Sequence, residues 1–166
     1  RMGLKPTQYR CASESLLRRL RKEGSLPQLH PLVEVCNAVS VAFAIPVAVF
    51  DVSKITRHLG VRYAAGDEGY LTFSGEVEHP HPDEVIFADR AGHVHARRWT
   101  NRQSGLSAVQ NSTTAALIVA EALHDSAASD VAEVTAAIAD EMAALWSITP
   151  AVSVLSESSP RFTFGQ

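Results

Sequence analysis

At 166 residues, with 46% hydrophobic and 20% charged, the chain is long enough to bury a core and too apolar to be a disordered tail. A net charge of −3 excludes a nucleic-acid coat acting by bulk positive charge and leaves room only for a local basic strip. Two cysteines, Cys11 and Cys36, exclude a disulfide framework.

The chain opens inside a polar phrase, Arg1-Met2-Gly3-Leu4-Lys5-Pro6, which reads as a truncated or processed N-terminus with a further segment expected before it. The remainder, residues 1–166, reads as one domain. No apolar run approaches the ~20 residues that a membrane span needs. The best candidate, Val35 to Phe50, is broken by Asn37, Ser40 and Pro46. A cytoplasmic protein without a membrane partner is the expectation.

Residues Ser13 to Glu23 predict a short helix, capped by Ser13 and ended by Gly24, with Leu16, Leu17 and Leu20 as its apolar stripe. Its other face carries Arg18, Arg19, Arg21 and Lys22, either a solvated face or a strip that contacts phosphates. His30 to Ala44 predicts a second helix with Pro31 in its first turn, apolar nearly all round and so buried on most sides. Glu34 and Asn37 share one of its faces. Pro46 stops it, and Val47 to Phe50 predicts a strand ended by Asp51.

The middle of the chain is β-rich. Val61 to Ala64 and Tyr70 to Phe73 predict strands around a Gly-Asp-Glu-Gly turn, and Glu84 to Asp89 with His93 to Trp99 predict a hairpin around Arg90-Ala91-Gly92. Strict alternation in the second arm sets His93, His95, Arg97 and Trp99 on an outer face, and turns Arg98 inward with Val94 and Ala96. Thr100 to Ser104 is a dense polar loop. Ala115 to Ala122 predicts a buried strand that contains Glu121. Asp130 to Leu145 predicts a helix with an Asp130–Glu133 capping box. Edge strands are expected around Val152 to Leu155 and Arg161 to Phe164. The mixed element order gives an α+β class, a β-rich core flanked by helices.

Polar residues in apolar positions are the chemical signal, because a buried polar group without a hydrogen bond costs a few kcal/mol. Asn37, Arg98 and Glu121 are three such intrusions. One account makes Arg98 and Glu121 a structural ion pair and bonds Asn37 to backbone; the other brings all three to one pocket. A rival site is His79-Pro80-His81 with His93-Val94-His95, two H-x-H pairs of the kind that some metal sites use, near Glu76 and Glu78. The prolines suit a loop better than a ladder, and no metal is expected. Nucleophile elbow, P-loop and dinucleotide fingerprints are absent from the sequence. An enzyme built this way would position water and stabilise charge.

Leu32-Val33-Glu34-Val35-Cys36-Asn37-Ala38-Val39, followed by Pro46-Val47-Ala48-Val49-Phe50-Asp51, resembles the editing module of the bacterial phenylalanyl-tRNA synthetase β chain. That module shows an apolar-apolar-Asp-apolar-Thr-Asn phrase and then Pro-x-His-Ala-Phe-Asp, and the interval from Asn37 to Pro46 matches. Glu84 to Asp89 and Thr113 to Ala122 also fit, so the resemblance spans about Ser25 to Leu123. Pro31 to Ala38 and Arg97 to Ser104 are similar to phrases of freestanding relatives of the module.

The resemblance implies the editing fold and hydrolysis of the ester that joins a wrong amino acid to tRNA, without a cofactor. It implies tRNA as partner, with no membrane and no DNA. Asn37 matches the module's site asparagine and Cys36 its threonine. Glu121 aligns with the glutamate that recognises the hydroxyl of misattached tyrosine. Ala48 stands where the synthetase has a site histidine, which separates this chain from the synthetase's water positioning and tyrosine specificity. On this reading Asn37 is catalytic. Cys36, Glu121, Arg98, Thr100, Asn101, Gln103 and Ser104 bind substrate, and Arg18, Arg19, Arg21 and Lys22 bind tRNA. A catalytically inactive binding module of the same fold and a metal-dependent enzyme are the alternatives.

Overall fold

The computed structural model describes residues 9–164, so the opening phrase Arg1 to Pro6 lies outside the described residues. Helix α1 spans Ala12–Glu23 and α2 spans Pro31–Phe43. Each begins and ends on a local signal. Gly24 adopts a left-handed φ of 73° and returns its N–H to Leu20, while the His30 ring accepts from Leu32 N–H at the start of α2. Ser13 is not the cap expected of it. The helix starts one residue earlier, on Ala12, with Cys11 as its N-cap, and Ser13 is buried, donating its hydroxyl to the Ala44 carbonyl 3.1 Å away. Ser40 does the same to the Ile45 carbonyl at 2.6 Å. Two serine hydroxyls therefore fix the left-handed exit of α2, where Ala44 has φ 55°, and aim the chain into strand β1.

β1 (Val47–Asp51) pairs with a strand from late in the chain, β8 (Ala116–Ala120), in an antiparallel ribbon that runs from Val47↔Ala120 to Asp51↔Ala116. Helix α3 (Ala127–Trp146) packs with α2 over one face of this ribbon. Cys36 and Val39 of α2, Val47 and Val49 of β1, and Val134, Ile138 and Met142 of α3 form the larger core. The acidic residue in the first turn of α3 is Asp130, as expected, but the helix begins three residues before it. Asp130 accepts from His124 and Ser126 instead of closing a box.

The second sheet has six strands: β2 (Leu59–Tyr63), β3 (Gly69–Leu71), β4 (Val77–Glu78), β5 (Val85–Asp89), β6 (His93–Arg97) and β7 (Arg102–Gln103). The order is β2-β5-β6-β3-β4, with β7 also on β6, and β3–β6 is the parallel pair. The strands on either side of the Gly-Asp-Glu-Gly turn are thus not neighbours. Tyr70, Ile86, Ala88 and Val94 fill one face. Phe50, Phe87 and Ala96 fill the other and join this sheet to the β1–β8 ribbon. Three helices around a mixed β core make an α+β fold.

The hairpin forms as expected, but its second arm does not alternate. Phe87 pairs with Ala96 and Ala88 with Val94, so His95 is an extra residue on β6, a β-bulge. With a core on each face of the sheet, His95 and Arg97 are buried, at 0% and 3% exposure. His93 alone of the expected outer set stays exposed on the strand. The C-terminal strands are also absent: among the described residues after α3, pairing is limited to a Ser156–Ser159 bridge. The apolar residues there, such as Val152 and Leu155, are exposed.

Candidate functional site

Where β6 ends, the chain reverses. Arg98 and Trp99 both have positive φ, 48° and 59°, a conformation that side chains resist and that packing must enforce. The surroundings enforce it. Trp99 N–H donates to the Val85 carbonyl and Arg98 N–H to Glu84. Behind them lies a charged cluster: the Arg97 guanidinium grips both oxygens of Glu84 at 2.8 and 2.9 Å and also reaches Glu78. The Tyr70 ring is flanked by Arg97 and Arg102 at 5.4 and 5.3 Å, and its hydroxyl donates to the Gln103 carbonyl at 2.7 Å. Burial pushes the Glu84 carboxyl up, but the hydrogen bonds and charge of Arg97 prevail and hold it below the ordinary carboxylate range.

The loop that follows is pinned on every side. Thr100 accepts from Ala12 N–H at the start of α1, and Asn101 donates its amide to the Arg10 carbonyl. Gln103 donates to the Val49 carbonyl on β1, and Ser104 to the Leu71 carbonyl on β3. Gly105 completes the fit, since a Cβ there would stand 2.9 Å from the Thr72 carbonyl oxygen.

This loop, the first residue of α1 and the β1–β8 ribbon line a partly open cavity of about 60 Å³. Thr100, Asn101, Arg102 and Gln103 form its polar rim. Ala48, Phe87, Ala96, Trp99 and Val119 form its apolar wall. Glu121, just beyond β8, also lines it. The Glu121 Oε2 atom is sealed from solvent and has no hydrogen-bond partner among the described residues. Burial pushes this carboxyl up to about 7, against the indole N–H of Trp99, which favours the charged form. A buried acid shifted in this direction in an apolar cleft is a candidate functional group.

The structure thus gathers Thr100, Asn101, Gln103 and Glu121, and it leaves other candidates outside. Asn37 is half-buried on α2 and does not line the cavity. Cys36 points into the core against α3, where burial pushes its thiol up to about 12. Ser104 is fully buried. Arg98 leans on Glu84 and lies over the Tyr9 ring at 4.5 Å, so no Arg98–Glu121 pair forms. Arg18, Arg19, Arg21 and Lys22 are exposed on α1, with Arg18 paired to Glu14 and Arg19 to Glu23. The histidine pairs diverge. His79 contacts the Glu68 carbonyl and His95 is buried beside Asp89, and among the described residues no group of three or more His, Cys, Asp or Glu is placed to hold a metal. Ala48, the position where the resemblance sets a site histidine, is in the wall, whereas sequence reasoning missed Trp99, Arg102 and Ala96. Trp99 beside a polar loop was a usable signal, whereas Ala96 carries none.

The fold and the cavity together define an α+β protein with a candidate ligand site. Comparison with known proteins then gives the family: residues 1–146 match the B3/4 domain, and the chain belongs to that family. Over 72 residues it is 35% identical to the phenylalanine–tRNA ligase beta subunit of Legionella pneumophila (strain Lens), covering 43% of this chain. Over 73 residues it is 34% identical to the same subunit of Cereibacter sphaeroides, covering 44%. The aligned stretch is 9% of each relative's length. The resemblance read from Asn37, Pro46 and Glu121 therefore agrees with the family. Among the described residues no helix is long and apolar enough to cross a membrane.

Proposed function

We propose that this chain deacylates mischarged aminoacyl-tRNA in trans. The carrying observation is Glu121, a buried acid with an unpartnered oxygen, lining a cavity beside the pinned 100–103 loop. That it occurs in a B3/4 chain whose relatives include tRNA ligase subunits supports the reading. Glu121 receives the amino group or a polar side chain of the misattached amino acid. Asn101 and Gln103 already donate their amides to backbone oxygens, so they offer acceptors, which suit ribose hydroxyls. Arg98 and the α1 arginines serve phosphates. Water adds to the acyl carbon, the bond to the ribose oxygen breaks, and the proton passes to that oxygen, releasing free amino acid and tRNA. The ester is already activated, so orientation and a few fixed dipoles give a useful rate.

Asn37 enters this reading by resemblance and is tested by its own substitution. A panel of mischarged tRNAs is incubated with the protein, with Asn37→Ala and with Glu121→Gln. At least one tRNA loses its amino acid faster than in buffer, and each variant slows this by about tenfold or more, the loss expected for one oriented group. No acceleration with any tRNA removes the activity. Ala48 in the wall, where the synthetase module has histidine, favours one other reading: a module that binds the same ligand without turnover. The same panel, read for binding and for hydrolysis, separates the two.

A further inference from the structure

We propose that strand β2, the free edge of the six-stranded sheet, is a docking surface for a second copy of this chain. The two β2 strands pair antiparallel around Val61 and join both sheets into one. This pairing is independent of the deacylase reading.

The sheet ends on β4 at one side and on β2 at the other. β4 is only Val77–Glu78, and Glu78 is held by Arg97 and Arg102, so that edge is short and charged. β2 runs for five residues, and its Val61 and Tyr63 are exposed at 53% and 67%. Ala64 N–H donates to the Glu84 carbonyl. Because alternate residues of an antiparallel ladder face the neighbour, Gly60 and Arg62 turn their N–H and C=O to β5. Leu59, Val61 and Tyr63 turn theirs to the open edge. The Tyr63 carbonyl accepts from the Arg62 guanidinium at 3.0 Å and keeps a second lone pair. A long, apolar edge of this kind templates a further strand.

The side-chain pattern fits another β2. With Val61 opposite its own copy, Leu59 falls opposite Tyr63 and Gly60 opposite Arg62. The outward groups of Leu59, Val61 and Tyr63 then exchange two main-chain bonds per pair. Val61 is paired with Phe87, and Leu59 packs on the Phe50–Phe87 cluster, so the joined apolar strip lies along that face. On the opposite face each Arg62 meets a glycine and is paired with its own buried Glu68, so no like charges stand opposite one another. Gly60 is the second, independent observation. A glycine inside a strand weakens it and often marks the close approach of another chain. Nothing in its own chain requires it: a Cβ there meets only the Ala88 carbonyl oxygen, at an ordinary 3.9 Å, and its φ is not left-handed. Across the two-fold axis, the Arg62 side chain uses that space. Five residues a side, against the 20–30 of a standard interface, give a weak dimer that dissociates at roughly 10–100 μM.

Sedimentation velocity from about 1 μM to about 1 mM, with amide hydrogen exchange over the same range, tests this on the whole protein. A dimer should form as concentration rises. On dilution the amides of Leu59, Val61 and Tyr63 should exchange at least ~10-fold faster, while those of Gly60 and Arg62 stay protected by β5. Val61→Pro removes an outward N–H and spares the β2–β5 ladder, so it should hold the protein monomeric throughout. Gly60→Val fills the space that the facing Arg62 needs and should weaken the dimer at least ~10-fold. Circular dichroism checks that both variants are folded; if either is not, the exchange pattern of the parent decides. A monomer at every concentration, alternate amides whose exchange ignores concentration, or a folded Val61→Pro that dimerises like the parent overturns the pairing. So does a dimer that is dissolved instead by Val152→Asp with Val154→Asp, which would assign the contact to the exposed C-terminal segment.

Discussion

Glu121 shows how much one residue can declare about itself. As a charge in an apolar segment it was legible as a buried acid, whereas its isolation from any basic partner was not, because the natural candidate, Arg98, is drawn away to Glu84 and Tyr9. That isolation has a consequence for stability. The unfolded chain releases the Glu121 proton near 4.5, while the folded chain, through burial, holds it until about 7. Between those values the native state binds more protons, so its stability falls as pH rises, and above 7 the loss is constant. Glu121→Gln removes this term. In urea titrations the variant should gain on the parent from pH 5 to pH 7 and then keep a fixed advantage of about 3 kcal/mol, at about 1.4 kcal/mol per pH unit. A gap independent of pH would contradict the buried-acid picture. Asp89 and Glu68 act in the opposite sense. Burial pushes both up, but hydrogen bonds prevail and depress them, Glu68 to about 2, so their contribution is lost as pH falls below the ordinary carboxylate range, equally in both proteins.

At the scale of elements, the helices and the 85–97 hairpin were readable because their signals are local: Gly24, Pro31, Pro46 and the Arg90-Ala91-Gly92 turn. The bulge at His95 was not, since no residue type marks it and it depends on where β5 sets its register. One inserted residue placed Arg97 inside and made it the clamp on Glu84, which is 6% exposed. Removing that guanidinium strands a buried carboxylate, at a cost of about 3–5 kcal/mol. Arg97→Met should lower the unfolding midpoint accordingly, and Arg97→Met with Glu84→Gln should recover much of it. If the single variant loses under about 1 kcal/mol, the cluster is not what holds the 98–105 turn. The C-terminal segment makes the complementary point, because Val152, Val154 and Leu155 alternate plausibly but find no strand to pair with.

Over the whole molecule, charge and connectivity decide what sequence could and could not reveal. A chain at −3 can attract a polyanion only through a local concentration of cations, and α1 supplies one. Arg18→Glu with Arg21→Glu should weaken tRNA binding and flatten its dependence on salt, because fewer counterions are released; unchanged affinity takes α1 out of the interface. The α+β class followed from element order, but the division into a ribbon and a six-stranded sheet did not, because β1 finds its partner across the whole intervening sheet. That long closure costs more chain entropy than a local hairpin does. The β5–β6 hairpin can form from its own sequence, whereas Ala48 meets Val119, and Pro46 meets Glu121, only after everything between them has been threaded. The cavity therefore depends on a distant closure, and a nascent chain still lacking β8 lacks the Val119 and Glu121 side of it. A ligand that needs this cavity would therefore find it only in a chain in which β1 and β8 have already met.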